Sequence, residues 1–220
     1  MLLFPTTQTR ADCAYDACVV SNCGKEPTVQ HLLMANKAVK KIKSADVSIH
    51  FPNLGEVDKL SVVAYSDAAH ANLPSGASQG GQVIFLAGNE KVAPITWQSK
   101  KLDRVTKSPL GAETMALAEA ADSSVLIVKM VEEILKTTLP PVKCYTDSQS
   151  LVDHMATSHV IQDKRLRIDI ARLKEMVEMK EVQCEWVSKE HQLADTLTKG
   201  GASSRTLIDV LQSGRLTAAG

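Results

Sequence analysis

The stretch Leu60-Ser61-Val62-Val63-Ala64-Tyr65-Ser66-Asp67 decides the fold of this chain. Its first six residues are almost continuously apolar, which is typical of a central β-strand that is covered on both faces. Asp67 follows this apolar run, in a place where a carboxylate is costly to remove from water. The stretch therefore predicts a buried strand with an acidic group at its carboxyl end.

Two more strands are predicted directly after this one. Residues 82–87 and 92–98 are expected to form a hairpin through Gly88-Asn89-Glu90. Pro94 cannot donate a backbone hydrogen bond, so the second strand of the hairpin is expected at the edge of the sheet. The short connections make these first three strands antiparallel.

The later strands are reached through helices. Ser108 and Pro109 are typical of an N-cap and a first helical residue, and they open a long helix to about Lys136. Strands are expected at residues 142–146 and 182–187, the latter at an edge, and helices from near Ser148, over 163–179 and around Asp195.

Strands that follow helical crossovers run parallel to the first strand. The first and fourth strands would then be central, with Asp67 and Asp147 side by side at their carboxyl ends. Ligands gather at that edge of such sheets.

Residues 1–58 differ in pattern and are predicted to be a separate helical segment, with residues 59–220 as the main domain. Helices are expected over residues 12–22 and 28–43, the second with Thr28 as its cap. Four lysines crowd the end of the second helix, and either a solvated surface or nucleic-acid contact accounts for them. They are Lys37, Lys40, Lys41 and Lys43.

Four acids stand where an apolar stretch ends or an amphipathic helix begins: Asp67, Glu113, Asp147 and Asp195. If they converge in the fold, they would repel one another strongly unless divalent cations neutralised them. This pattern predicts a metal-binding cluster that hydrolyses a phosphodiester. The alternative is four unrelated surface acids among the 25 acidic residues of the chain.

Composition limits the classes of function. Lys plus Arg and Asp plus Glu both number 25, so nucleic-acid binding must come from local patches rather than from net charge. The five cysteines lack the paired spacing of a zinc site, and an odd number fits poorly with a disulfide framework, so reduced thiols in an intracellular protein are expected. No apolar stretch has the length of a membrane span, so a protein that is neither exported nor membrane-spanning is expected.

Four short blocks that carry these acids resemble the ribonuclease H domain of copia-type LTR retrotransposon polyproteins. The Thr-Asp-Ser-Gln block is shared with cellular ribonucleases H, and the Gln-Leu-Ala-Asp-X-X-Thr-Lys block is particular to the copia group. The blocks are Tyr65-Ser66-Asp67-Ala68, residues 111–117 from Gly111 to Leu117, Tyr145-Thr146-Asp147-Ser148-Gln149-Ser150, and residues 192–199 from Gln192 to Lys199.

The resemblance implies an α/β fold, the ribonuclease H-like five-stranded mixed sheet with strand order 3-2-1-4-5, flanked by helices. It also reaches into the first 58 residues, where Thr9-Arg10-Ala11-Asp12 and residues 27–32 resemble the helical end of a copia reverse transcriptase. Ala11 replaces the proline that is usual there. The Tyr-X-Asp-Asp motif of a polymerase is absent, so no DNA synthesis by this chain is expected.

The implied activity is hydrolysis of the RNA strand of RNA–DNA hybrids during reverse transcription, with two Mg²⁺ ions, or Mn²⁺ in their place. In such a site Asp67 would bridge both ions, Glu113 and Asp147 would flank it, and Asp195 would complete the second site. Oxygen ligands suit Mg²⁺. The expected partners are the hybrid and the polymerase part of the same polyprotein, in a cytoplasmic particle or the nucleus.

Other residues receive roles by position. His191 lies four residues before Asp195, the spacing of one helix face if the helix has already begun there, and either assists catalysis or caps the helix as a surface histidine. Ser148 and Gln149 are expected at the minor groove of the hybrid, with Ser148 also able to act as an N-cap. Two basic groups are expected either to bind phosphates or to be solvated. They are Lys100, Lys101, Arg104 and Lys107 before the long helix, and Lys164, Arg165 and Arg167 after it.

Two alternatives stay open at the level of sequence. A junction resolvase or an integrase-like transferase shares the fold, although a glutamate second in order on the long helix and an aspartate fourth favour ribonuclease H. A non-catalytic module that binds a hybrid or a protein, from a domesticated element, is the alternative from another class. Trp97 and Trp186 are expected in the core or on a sheet face rather than as base-stacking platforms.

Overall fold

A five-stranded mixed sheet organises the chain in the computed structural model, which describes residues 2–24, 26–44, 46–73, 75–157 and 161–216. The strand order is β3-β2-β1-β4-β5, with β1–β2 and β2–β3 antiparallel and β1–β4 and β4–β5 parallel. The predicted ribonuclease H-like sheet with order 3-2-1-4-5 is therefore confirmed. The strands are β1 Ser61–Ala69, β2 Gln79–Gly88, β3 Lys91–Lys101, β4 Val142–Thr146 and β5 Val182–Trp186.

Helices cover both faces of this sheet. The α-helices are α1 Leu3–Gln8, α2 Ala14–Ser21, α3 Val29–Ser44, α4 Pro109–Leu135, α5 Gln149–Ala156, α6 Lys164–Glu178 and α7 Arg205–Ser213. Short 3-10 turns occur at Ala11–Cys13, Val57–Lys59, Lys189–His191 and Asp195–Leu197. No helix in the described part of the chain combines the length and the apolar character needed to span a bilayer.

The central strand β1 separates two apolar cores, as its near-continuous apolar sequence predicts. Val62 and Ala64 belong to the core under α4, α5 and α6, together with Leu117 and Leu173. Val63 and Tyr65 point to the opposite side, into a second core that contains residues of the N-terminal segment, of the 190s and of α7. Successive residues of a strand face opposite sides of a sheet, so both faces of β1 are buried.

The β2–β3 hairpin and its edge strand follow the sequence prediction. Asn89 and Glu90 turn the chain with φ of 51° and 58°, the left-handed pair that a two-residue hairpin turn requires. Pro94 lies on β3, which is the edge strand, next to a shift in the β2–β3 register. Its missing N–H therefore costs no ladder bond in the sheet interior.

The long helix α4 begins as predicted. Ser108 is extended, and its hydroxyl accepts a hydrogen bond from the backbone N–H of Gly111 at 3.1 Å. Pro109 supplies the first helical residue, and Lys136 ends the helix in the left-handed conformation. This cap fixes where the first turns of α4 lie, and those turns carry Glu113.

The N-terminal segment packs against the second face of the sheet. The indole N–H of Trp97 on β3 donates to the carbonyl of Thr6 at 2.7 Å, and Ala11 and Ala14 lie in the core shared with Val63. Trp97 is buried, as expected. Whether residues 1–58 form a unit of their own stays a prediction.

Two boundary predictions were wrong. Asp67 lies inside β1 rather than after it, because β1 continues to Ala69 in pairs with Gly81, Gly80 and Gln79 of β2. Asp195 lies on the 3-10 turn Asp195–Leu197 rather than on the last helix, which starts only at Arg205.

Candidate metal centre

Three carboxylates from three separate elements meet at the edge of the sheet. Asp67 comes from β1, Glu113 from the second turn of α4, and Asp147 from the residue after β4. Each offers an oxygen, and these oxygens all lie within 4.8 Å of one another. We call these three residues the acidic cluster. Its outermost members in the sequence, Asp67 and Asp147, are 80 residues apart. The parallel pairing of β1 with β4 brings them to the same edge of the sheet.

Burial and mutual repulsion make the acidic cluster unfavourable as three free anions. Burial, followed by the charges of Asp67 and Asp147, raises the pKa of Glu113 to about 9. Burial and the charge of Asp67 also raise the pKa of Asp147. The Oε2 atom of Glu113 is buried, and no hydrogen-bond partner for it occurs among the described residues. A divalent cation would satisfy that oxygen and remove the repulsion.

The donor set fits Mg²⁺ and not a soft metal. All three groups are carboxylates, which hard cations prefer, whereas zinc and copper sites use histidine and cysteine. A single carboxylate cluster of this kind could hold one ion through shared oxygens. A second ion would need further oxygens nearby, and Asp195 is the predicted source.

The fourth acid, Asp195, is linked to the acidic cluster by an ion pair with Lys199. Asp195 is not among the carboxylates within 4.8 Å of one another. Instead, the ammonium of Lys199 contacts Oδ1 of Asp195 and lies 3.6 Å from Oδ2 of Asp67. Burial lowers the pKa of Lys199, but the hydrogen bond that its ammonium donates to Asp195 and the charges of Asp67, Asp195 and Asp147 outweigh this effect, so the net shift of the pKa is upward.

Thr198 holds the orientation of Asp67. It is fully buried, and its hydroxyl lies within hydrogen-bonding distance of both Oδ2 of Asp67 and the backbone carbonyl of Asp195. Neither Thr198 nor Lys199 is among the residues to which the sequence pattern gives a role. The spacing of four residues between Asp195 and Lys199 could have predicted the ion pair between them.

A glycine lets this segment approach the sheet. Gly81 on β2 pairs with Asp67, and a Cβ built on it would lie 2.7 Å from Cβ of Leu197 and 2.9 Å from Cγ2 of Thr198. The amide of Gln192 adds a tether, because its Nε2 donates to the carbonyl of Ser66 at 3.0 Å. A side chain at position 81 would therefore push Thr198 away from Asp67.

His191 is not on the same helix as Asp195. It ends the 3-10 turn Lys189–His191, and Gln192 then takes an extended conformation before the next turn begins. Its Nδ1 lies 2.8 Å from Oγ of Ser188. A shared helix face was expected only if one helix already began at His191, and that condition is not met. A catalytic role for His191 stays a prediction.

Ser148 and Gln149 directly follow Asp147, as predicted, and Ser148 takes the predicted N-cap position of α5. Ser148 precedes α5 without a capping hydrogen bond from its side chain, and its Oγ lies 3.4 Å from Oγ of Ser150. The Nε2 of Gln149 donates to Asp153 at 2.9 Å. Their contact with a minor groove stays a prediction.

Three of the four predicted phosphate-binding cations before the long helix already have acidic partners. Lys100 lies 3.1 Å from Glu119, Arg104 lies 2.7 Å from Asp169, and Lys107 lies 3.4 Å from Asp163. Lys101 is exposed at the end of β3. A pocket open to solvent brings the two predicted basic groups together, since Arg104, Lys107 and Arg165 all line it.

Trp186 was expected in the core or on a sheet face, and 49% of it is exposed. It ends β5, and its indole N–H donates to the backbone carbonyl of Asp147 at 3.2 Å. The indole thus ties the residue that carries the third carboxylate to the neighbouring strand. No signal in the sequence predicted this contact.

In the metal-free protein we expect Glu113→Gln to raise the free energy of unfolding at pH 8 by about 4–5 kcal/mol and to leave it nearly unchanged at pH 4. A glutamate whose pKa is raised from 4.5 to about 9 destabilises the folded protein at any pH at which its carboxyl group is ionised in the unfolded chain. The penalty is absent below the unfolded pKa, grows as the pH rises and is complete near the folded pKa. Urea unfolding in EDTA at both pH values measures it, and an equal effect at both would contradict it.

No family model matches the chain. Over 195 residues it is 29% identical to the Retrovirus-related Pol polyprotein from transposon RE1 of Arabidopsis thaliana, a match that covers 87% of this chain and 13% of the relative. A match to the Putative transposon Ty5-1 protein of Saccharomyces cerevisiae is 33% identical over 111 residues, 49% of this chain and 33% of the relative. The predicted relationship to retrotransposon polyproteins is therefore confirmed, and the chain spans about an eighth of the length of the plant relative.

The comparison with solved structures also found matches. RNase H1 from the halophilic archaeon Halobacterium salinarum NRC-1 has a TM-score of 0.47 and 21% identity, covering 63% of this chain and 94% of that one. LC11-RNase H1 in complex with RNA/DNA hybrid has a TM-score of 0.47 and 18% identity, with the same coverage.

Proposed function

We propose that this chain hydrolyses the RNA strand of RNA–DNA hybrids, as the ribonuclease H part of a retrotransposon-type polyprotein. One observation carries the proposal: Asp67, Glu113 and Asp147 converge within 4.8 Å from three different elements of a β3-β2-β1-β4-β5 sheet. The similarity to retrovirus-related Pol polyproteins supports the same function. In this proposal residues 59–220 form the nuclease domain, and residues 1–58 correspond to the end of a preceding polymerase part.

The acidic cluster and Asp195 are the groups that would hold two Mg²⁺ ions, or Mn²⁺ in their place. When bound, such ions activate a water molecule for attack on the phosphate and stabilise the departing 3′ oxygen. The protein contributes the fixed positions of the carboxylates. Thr198 orients Asp67, Trp186 holds the backbone of Asp147, and the cap of α4 places Glu113.

Recognition of the substrate would fall to residues beside the acidic cluster. Ser148 and Gln149 begin α5 directly after Asp147, where they would contact the minor groove, in which 2′-hydroxyls distinguish RNA from DNA. The net charge of the chain is zero. Affinity for phosphates would therefore depend on local cations such as Lys101 and Arg104, with Arg104 exchanging its partner Asp169 for a phosphate.

The experiment that tests this function is cleavage of a hybrid with a labelled RNA strand in Mg²⁺, beside the same RNA as a single strand and as an RNA duplex. We expect cleavage of the RNA in the hybrid alone, with 5′-phosphate and 3′-hydroxyl products, because the water attacks opposite the 3′ oxygen. Products that end in a 2′,3′-cyclic phosphate would contradict a water nucleophile. Tight binding of the hybrid without cleavage would favour a binding module instead.

We expect Ca²⁺ to support binding of the hybrid and to lower cleavage to below roughly one hundredth of the rate in Mg²⁺, because Ca²⁺ takes more ligands at longer distances than Mg²⁺. Gel-shift binding and cleavage of the same labelled hybrid measure the two effects, and Mn²⁺ should restore cleavage. Efficient cleavage in Ca²⁺ alone would rule out a site shaped for Mg²⁺.

A further inference from the structure

Lys199 lies between two of the four acids. Its ammonium contacts Oδ1 of Asp195 and is 3.6 Å from Oδ2 of Asp67, a carboxylate whose side chain is 2% exposed. Among the described residues, no other cation forms an ion pair with either acid. Lys199 therefore supplies the local neutralisation of Asp67 and Asp195 in the protein alone.

We infer that Lys199 is a built-in cation that occupies the position between Asp67 and Asp195, and that the second divalent ion binds only by displacing it. The inference rests on the proposed function, since it takes these acids as the metal ligands. It adds a competition between a side chain and an ion for the same oxygens.

The geometry carries this competition. An ammonium and a divalent ion both require carboxylate oxygens at close range, and Mg²⁺ requires them at about 2.0–2.1 Å. Oδ2 of Asp67 already has the Thr198 hydroxyl and the Lys199 ammonium beside it. An ion shared by Asp67 and Asp195 would stand where that ammonium lies, so the two cations exclude each other by charge and by space.

Lys199 is also able to leave. Its side chain is 46% exposed, and a lysine stem has four rotatable bonds, so the ammonium can turn towards solvent without a change in the backbone. Thr198, in contrast, is fully buried and keeps its place. The displaced ammonium would remain at the mouth of the acidic cluster, where a phosphate oxygen is a suitable partner.

The need to displace Lys199 gives the two ions different affinities. The first ion can use the oxygens of Glu113 and Asp147, which form no ion pair among the described residues, whereas the second must break the two ion pairs of Lys199 with Asp67 and Asp195. Removing the ammonium should strengthen the second ion and destabilise the metal-free protein, since Asp67 would then be buried without a counter-charge.

The test compares the unaltered protein with Lys199→Met, Lys199→Arg and the control Lys129→Met, which removes an exposed lysine of α4 about 24 Å along the helix from Glu113. Titration calorimetry with Mg²⁺ gives the affinity of each ion, and thermal unfolding in EDTA and in Mg²⁺ gives the stability. In Lys199→Met we expect the weaker ion to bind about tenfold more tightly. We also expect a lower Tm in EDTA and a larger gain of Tm on adding Mg²⁺.

Lys199→Arg should keep the weak second affinity, because it keeps the charge, and Lys129→Met should match the unaltered protein. Equal or weaker binding of the second ion by Lys199→Met would overturn the inference while leaving hybrid cleavage, and so the proposed function, intact. Absence of Mg²⁺ binding by both proteins would overturn the metal-dependent function together with the inference.

Discussion

Asp147→Asn is expected to lower the rate of RNA cleavage in an RNA–DNA hybrid by at least roughly a thousandfold, equivalent to about 4 kcal/mol of transition-state stabilisation. The change keeps the size of the side chain and removes one of the three carboxyl groups of the acidic cluster. An amide is a poor ligand for Mg²⁺ beside two carboxylates. Single-turnover cleavage of a labelled hybrid measures the effect.

The matched control is Asp122→Asn, which neutralises an exposed acid of α4 that pairs with Arg172. It should cleave within about twofold of the unaltered protein, because its ion pair is on the surface. Binding of the hybrid in Ca²⁺ should be retained by both variants. Cleavage by Asp147→Asn at a rate similar to that of Asp122→Asn would show that the acidic cluster is not the catalytic site.

Arg10→Met is expected to lower the free energy of unfolding by about 3 kcal/mol, because it leaves a buried carboxylate without its main partner. The guanidinium of Arg10 donates to both oxygens of Asp12, at 2.9 and 2.8 Å, and Asp12 has a side chain only 1% exposed. It also donates to the carbonyls of Ile42 and Lys41, at 2.7 and 3.0 Å, at the end of α3. One side chain thus joins the first turns of the chain to α3.

The contacts of Asp12 outweigh the cost of its burial. Burial alone would raise the pKa of Asp12, and the hydrogen bond from Arg10 with the charge of Lys41 turns the net shift downward. Lys41 lies 3.3 Å from Asp12 and is half-exposed, so it only partly replaces the guanidinium. Urea unfolding followed by circular dichroism measures the loss.

Arg205→Met provides the comparison, since Arg205 pairs with Asp209 on an exposed face of α7. We expect it to change stability by less than about 0.5 kcal/mol. Equal losses in Arg10→Met and Arg205→Met would mean that the Arg10 network does not anchor the N-terminal segment to the rest of the chain.

Local sequence signals predicted most elements of the fold. The apolar run before Asp67, Pro94 in the hairpin and the Ser108-Pro109 pair each correspond to the strand, edge or helix start that the structure has. These signals involve only neighbouring residues, whose local sterics and hydrogen bonds determine the backbone conformation. Short connections and helical crossovers then limit the possible strand orders.

The errors arose where distant parts of the chain decide a local conformation. β1 continues past Asp67 because Asp67, Ala68 and Ala69 keep pairing with Gly81, Gly80 and Gln79 of β2. The segment from Lys189 to Leu197 forms two 3-10 turns, because its residues are fixed by contacts with β1 and β2 rather than by helix periodicity. The helical spacing between His191 and Asp195 therefore does not place them on a shared face.

The sequence by itself determined which elements form, which strand is central and which acids stand at strand and helix ends, because propensity and hydrophobic pattern act within a few residues. Only the tertiary structure decided that Asp67, Glu113 and Asp147 share one small volume while Lys199 lies between Asp67 and Asp195. Electrostatic interactions fall off with distance, so their strength at this site depends on separations of a few ångströms that only the packed chain fixes.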